Sequence, residues 1–229
     1  MEPSLKPPPR TGTRTIELQL SLLEGNDRQA ARNRARFKEL GLSAINLVSS
    51  PGAGKTTLLE RTLSEFGSST PCAAVVGDLA TDRDAQRLGR SRAPVAQITT
   101  GSACHLDAGM VARAVDGLDM RGARLLFIEN VGNLVCPASF DLGEKTRVVL
   151  LSAAEGEDKP LKYPPIFKSA HVVLLTKMDV AGVLGFDREA AAENVRRIAP
   201  QARLIELSAR SGEGIEQWYD LLGTLTPKG

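Results

Sequence analysis

The sequence predicts an α/β protein with a mostly parallel sheet, helices on both faces and a helical lead-in at the N-terminus. Two observations carry that prediction. Short, near-continuous apolar runs alternate with helical stretches, which is the pattern of strands buried on both faces. The polar motifs fall at the carboxyl ends of those runs, where open parallel sheets place their ligands.

Taken in order, residues 1–14 are Pro-rich and read as a disordered tail, because proline fixes φ and withholds a hydrogen-bond donor. Residues 15–41 form a helical segment, and Gly25-Asn26-Asp27 is expected to break it, with Asn26 or Asp27 capping the second piece. Gly41 is a C-terminal stop, and Arg28, Arg32, Arg34, Arg36 and Lys38 make a solvated basic face. Residues 42–225 make the main domain. Its strands are expected at 44–48, 73–76, 95–98 (an edge), 124–129, 148–151, 171–175 and 203–207, with a helix at 107–117. Cys72 and His171, at strand starts, read as structural.

Bulk properties exclude several classes. A chain of 229 residues suffices for one such domain and an appendage. A net charge of +2 and 4% aromatic residues argue against nucleic acid, against a base-stacking surface and against an anionic membrane as the main partner. No apolar run approaches the ~20 residues that span a bilayer, and the Pro-rich start has no signal-peptide core. Three cysteines are too few and too scattered for a disulfide framework, so a reducing cytoplasm is expected.

The chemistry begins at Ser49-Ser50-Pro51-Gly52-Ala53-Gly54-Lys55-Thr56-Thr57, which follows a strand and opens a helix. That context defines a phosphate-binding P-loop. Gly52 and Gly54 let the backbone wrap around phosphate oxygens, and the helix start adds its positive dipole end. Lys55 brings charge to the β/γ-phosphates, and the Thr56 hydroxyl suits Mg²⁺. Ser49 stands where glycine is usual, which leaves the phosphate and Mg²⁺ roles with Gly52, Gly54, Lys55 and Thr56.

Thr176-Lys177-Met178-Asp179 resembles the guanine-specificity signature of GTPases, with Thr for Asn. The Asp179 carboxylate can accept from guanine N1–H and the exocyclic amine, whereas adenine would leave it unpaired. Lys177 can lay its stem along the base, and Ser208-Ala209 resembles the loop that offers backbone N–H to guanine O6. GTP is therefore expected over ATP. Asp78 and Glu129, at strand ends, are candidate Mg²⁺ ligands with Thr56. Glu129-Asn130-Val131-Gly132 stands where GTPases carry their second switch, with the Gly132 N–H as γ-phosphate sensor. Lys55, Asp78, Glu129 and Gly132 are the candidate catalytic set. Asp82 and Asp84 are equally open to positioning water or to simple solvation.

Cys104-His105, with Cys136 within the predicted switch, adds a soft thiolate and imidazole set that suits Ni²⁺ or Zn²⁺. Three ligands are too few for a closed tetrahedral site. The remainder would come from water, an exchangeable ligand or a second subunit.

Five motifs together resemble one family: Ser-Ser-Pro-Gly-Ala-Gly-Lys-Thr, Gly-Asp-Leu-Ala-Thr-Asp, Thr-Gly-Ser-Ala-Cys-His-Leu-Asp-Ala, Glu-Asn-Val-Gly-Asn-Leu-Val-Cys-Pro-Ala and Glu-Gly-Glu-Asp-Lys-Pro-Leu-Lys-Tyr-Pro. The chain is similar to HypB, the SIMIBI-class P-loop GTPase that helps insert nickel into [NiFe]-hydrogenase, from about residue 26 to 214. The resemblance implies slow GTP hydrolysis with Mg²⁺ and a GTP-dependent homodimer. It implies nickel or zinc on Cys104, His105 and Cys136 near the subunit interface. The implied partners are a HypA-type accessory protein and the [NiFe]-hydrogenase large subunit precursor, and Lys159 or Lys162 would approach the partner's nucleotide. Residues 1–40 hold no Cys and no His, so the N-terminal nickel-capture and storage tracts of some members have no counterpart there. Some members also carry a His where this chain has Gly109. Three competing readings are a urease-type nickel GTPase, whose Cys-Pro-His motif is unmatched by Cys104-His105-Leu106, a passive metal-binding module on a nucleotide fold, and a P-loop ATP kinase.

Overall fold

The computed structural model describes residues 11–80 and 82–227, with side chains from residue 21 onward. The seven strands are β1 (Ser43–Ser49), β2 (Cys72–Asp78), β3 (Val95–Thr99), β4 (Leu125–Glu129), β5 (Thr146–Ser152), β6 (Val172–Thr176) and β7 (Arg203–Glu206). They form one sheet in the order β3-β2-β4-β1-β5-β6-β7, and every pairing is parallel. The strand predicted as an edge, β3, is one.

Strand periodicity explains the two apolar layers. Ile45, Leu47, Phe127, Val148 and Leu150 point to one face, where they meet Leu58, Leu59 and Leu63 of α2 (Lys55–Glu65) and Trp218 and Leu222 of α9 (Ile215–Leu225). Their neighbours point to the other. Val149, Leu151, Val173 and Leu175 pack with α6 (Pro164–Lys168) and α8 (Arg188–Ile198). Ala73, Val75, Leu126 and Ile128 pack with Phe37 of α1 (Thr11–Glu39) and with Val111 and Val115 of α4 (Ala108–Asp116). The shorter helices are α3 (Arg83–Gly89), α5 (Lys159–Lys162) and α7 (Ala181–Leu184).

The lead-in departs from expectation. Residues 1–10 of the expected tail, and Thr81 of the expected loop, lie outside the described residues. Helix α1 begins at Thr11 rather than at 15 and runs unbroken through Gly25-Asn26-Asp27 to Glu39. Asn26 does not cap a second helix. Its Nδ2 donates to Asp141 O (2.8 Å) and its Oδ1 accepts from Ala108 N (2.9 Å), so tertiary bonds satisfy the side chain that would otherwise compete for the local backbone. A glycine inside a helix costs only about 1 kcal/mol, which such contacts offset. The helix ends in a Schellman turn at Gly41 (φ 66°), with Leu42 N bonded to Phe37 O and Gly41 N to Lys38 O. On the basic face, Arg34 and Arg36 form exposed ion pairs with Asp141 and Asp116.

Strand β1 is central, between β4 and β5. Its connection runs past β4 toward β2, while that of β4 crosses β1 to reach β5. Ligands of open parallel sheets bind in the crevice where connections diverge in this way.

Candidate nucleotide site and adjoining metal-ligand cluster

Between β1 and α2 the chain turns through Gly52 (φ 76°) and Gly54 (φ 101°), a backbone region that residues with a Cβ rarely adopt. This loop walls a cavity of about 390 Å³ together with Lys55, Thr56, Thr57, Asp78, Glu129 and Gly132. On the other side of the loop, Ala53, Lys177, Asp179, Ser208 and Ala209 line a second pocket of about 300 Å³. Gly54 and Thr57 border both, so the two spaces adjoin at the P-loop.

Lys55 is buried, and its Nζ donates to Ser49 Oγ at 2.9 Å. Burial lowers its pKa, against the opposing pull of Glu129, Asp84, Glu155 and Asp78. Ser49 thus takes a part that its sequence position did not reveal: its hydroxyl holds the P-loop lysine. Glu129 Oε1 accepts from Thr56 Oγ1 at 2.6 Å. Its Oε2 is buried with no hydrogen-bond partner among the described residues. Desolvation pushes the Glu129 carboxyl up to about 7, against the charge of Lys55 and the Thr56 hydrogen bond. An orphaned carboxylate oxygen beside a hydroxyl is a hard oxygen donor set of the kind Mg²⁺ takes, so these residues fit that ion.

Of the two open aspartates, Asp84 lines the first cavity, while Asp82 sits at the surface and accepts from Gln86. Arg87 also lines the cavity, where its Nη2 reaches Glu60 Oε2 (2.6 Å) and Thr57 Oγ1 (3.4 Å). Sequence reasoning missed this arginine, because one cation in a charged helix carries no local signal. Beside the second pocket, Thr176 Oγ1 donates to Ala53 O at 2.8 Å and braces the P-loop from the end of β6. Ser208 Oγ accepts from Arg210 N and Ser211 N (3.2 and 3.1 Å), which sets the shape of its own loop. Lys159 faces Glu155 at 3.9 Å, and Lys162 pairs with Asp158 at the surface.

Cys104, His105 and Cys136 come together with their ligand atoms all within 4.8 Å of one another. Cys104 Sγ donates to Cys136 Sγ at 2.8 Å and lies 3.8 Å from His105 Nδ1. The hydrogen bond to Cys136 holds the Cys104 thiol above its ordinary range, and burial lowers the His105 pKa. A depressed imidazole stays neutral near pH 7, the form that ligates metal. Its ring packs against Phe140 at 3.9 Å between centroids, with the two planes tilted by 30°. Two thiols and an imidazole suit a borderline or soft divalent ion. Cys72 is buried in the core, and His171 Nδ1 accepts from Arg147 N at 3.0 Å.

Residues 43–206 match the family model described as "CobW/HypB/UreG, nucleotide-binding domain". The chain is 52% identical over 206 residues to the hydrogenase maturation factor HypB of Azotobacter chroococcum mcd 1, covering 90% of this chain and 68% of that one. The chain belongs to the HypB branch of this family.

Solved HypB structures have the same fold. The Helicobacter pylori protein, determined in complex with nickel, superposes with a TM-score of 0.82 at 40% identity, over 87% of this chain and 94% of that one. HypB from Archaeoglobus fulgidus gives a TM-score of 0.83 at 39% identity, over 89% and 100%. The signal recognition particle 54 kDa protein of Aeropyrum pernix K1, crystallised with GDP, shares the fold alone, with a TM-score of 0.55 at 17% identity over 80% and 49% of the two chains.

Proposed function

We propose that this chain is a GTP-binding and GTP-hydrolysing metallochaperone that helps insert nickel into [NiFe]-hydrogenase, with GTP-dependent dimerisation gating the transfer. The observation that carries the reading is the convergence of Cys104, His105 and Cys136 beside the segment whose Gly132 abuts the P-loop. The nickel complex of the Helicobacter pylori relative supports nickel as cargo.

Asp179 would select guanine by accepting its two donors, and Lys177 would cover the base. Lys55 would leave Ser49 for the β/γ-phosphates, which return the charge that its burial penalises. The phosphate cavity already carries Asp78, Asp84 and Glu129 against Lys55 and Arg87. A polyphosphate therefore enters this cavity favourably only with a cation. Mg²⁺ bound by Thr56, Asp78 and Glu129 would neutralise charge on the β- and γ-oxygens. The Gly132 N–H would report the γ-phosphate, and hydrolysis would release it.

Three protein ligands leave nickel coordination incomplete. A second copy of the chain, a HypA-type accessory protein or the hydrogenase large subunit precursor would complete or receive it. A passive metal-binding module predicts instead that nickel binding ignores nucleotide and that Lys55→Ala changes nothing.

The test is a nickel titration of the purified protein with GDP, with a non-hydrolysable GTP analogue and with no nucleotide, reading oligomer size alongside. The reading expects a dimer with the analogue and different nickel affinities in the GDP and analogue states, a difference that Cys136→Ala abolishes. Equal affinities in the two nucleotide states would sink it.

A further inference from the structure

The Cys104-His105 dipeptide is gripped from both sides by asparagines of the segment that follows β4. At one side, Asn133 Nδ2 donates to Cys104 O at 3.2 Å, while Asn133 Oδ1 accepts from Val135 N at 2.9 Å. At the other, Asn130 Oδ1 accepts from Leu106 N (3.1 Å) and from Val131 N (3.0 Å).

The two grips differ in what stands behind them. Asn130 is 1% exposed, and its Nδ2 donates to Asn46 Oδ1 at 3.4 Å. Asn46 in turn donates to Glu144, which holds a buried ion pair with Arg147 at 2.7 Å. The Leu106 side chain also fills the space where Gly77 would carry a Cβ, 2.8 Å from its nearest atom. The His105–Leu106 side is thus anchored in the core. Asn133 is half-buried and follows directly on Gly132. A Cβ at Gly132 would fall 2.9 Å from Pro51 Cα, so the peptide before Asn133 rests on the P-loop itself.

We infer that Asn133 is the positioning residue through which the nucleotide state reaches the metal ligands, with Asn130 as its fixed counterpart. This rests on the reading above that the cavity takes GTP and the cluster takes nickel. A shift of Gly132 carries Asn133 with it, and Asn133 draws on the Cys104 carbonyl while Asn130 keeps Leu106 in place. Cys136, three residues beyond Asn133, rides on the same segment. The two thiols therefore move relative to the imidazole, and the fit of the three ligands to one ion changes.

Asn133→Asp separates the two bonds of this side chain. It keeps an acceptor for Val135 N–H and loses the donor to Cys104 O. Asn133→Ala removes both bonds without adding charge. Nickel affinity of the full chain is measured with GDP and with a non-hydrolysable GTP analogue, recording the thiolate-to-nickel charge-transfer absorption in the same titrations. Wild-type protein is expected to show affinities about 5- to 150-fold apart, the usual range of coupling between two sites, and two distinct spectra. Both variants are expected to bring that ratio within about twofold of unity and to give one spectrum in both states, with GDP affinity unchanged. A wild-type ratio in both variants overturns the role of Asn133 alone. Loss in Asn133→Asp with retention in Asn133→Ala assigns the effect to the new charge and overturns it as well. A wild-type protein with one affinity in both states removes the coupling itself, and this inference with it.

Discussion

Gly132 lies so close to Pro51 that an added Cβ would stand 2.9 Å from the Pro51 Cα and 3.0 Å from its nitrogen. Real Cβ atoms essentially never approach backbone so closely, so only glycine lets the segment after β4 rest on the P-loop. Gly132→Ala should therefore push the two apart. Misplacing a reacting group by about 1 Å can cost on the order of 100-fold in rate. A loss of GTP turnover of at least about tenfold is expected, with GDP affinity little changed. Steady-state hydrolysis beside GDP titration checks this, and wild-type turnover would contradict it.

Asp179 borders the second pocket, proposed to take the base, with Lys177, Ser208 and Ala209. Asp179→Asn exchanges an acceptor for a group that also donates, which opposes guanine and suits the carbonyl that xanthine carries in place of the amine. A hydrogen bond to a charged group is worth about 1.5–3 kcal/mol, so GDP should bind about 10- to 150-fold more weakly. Xanthosine diphosphate should bind better than to wild type. Competition titrations with both nucleotides decide the matter.

Asn33, only 2% exposed, ties α1 to the domain by donating to Ala108 O (2.8 Å) and Leu142 O (3.0 Å). Asn33→Ala leaves buried carbonyls short of a donor, at a cost of about 1–3 kcal/mol. For a chain of this size that lowers Tm by about 3–10 °C. An unchanged thermal midpoint would mean that α1 is not held by this residue.

Cys72 donates to Thr70 O at 3.0 Å, and burial pushes its thiol up to about 12. Cys72 is buried while Cys104 and Cys136 are partly exposed, so a maleimide should label Cys104 and Cys136 first; mass spectrometry of the native protein reads the order. The raised pKa also sets a sign. Stability from burying the neutral thiol is complete below the unfolded value near 8.5 and is lost as pH rises toward about 12. Denaturant midpoints of Cys72→Ala should accordingly fall less steeply than wild type across that alkaline range.

Local pattern was enough for the sheet. The five inner strands are apolar runs buried almost throughout, a local signal, and the partly exposed edge strands β3 and β7 still carry Val95, Ile98, Leu204 and Ile205. The loop of Gly52, Gly54 and Lys55 is equally local, since strand, glycine turn and helix start lie within a dozen residues. Where residues expected to act together lie far apart in the chain, as with Thr56 and Glu129 or Cys104 and Cys136, motif order alone suggested the grouping.

The order of residues alone thus named the chemical groups: a P-loop lysine, an aspartate in a guanine-type motif, and two thiols with an imidazole. How those groups are held follows from the packing of the folded chain. Helix α1 runs through Gly25-Asn26-Asp27 because Asn26 finds partners 82 and 115 residues away. Ser49 acquires its role because the Lys55 side chain folds back onto it. Asn133 meets the Cys104 carbonyl across 29 residues, a contact that no local period announces. The physical reason is common to all three. A polar side chain has no intrinsic preference strong enough to mark its place, so the buried donor or acceptor it satisfies is set by the packing of elements around it.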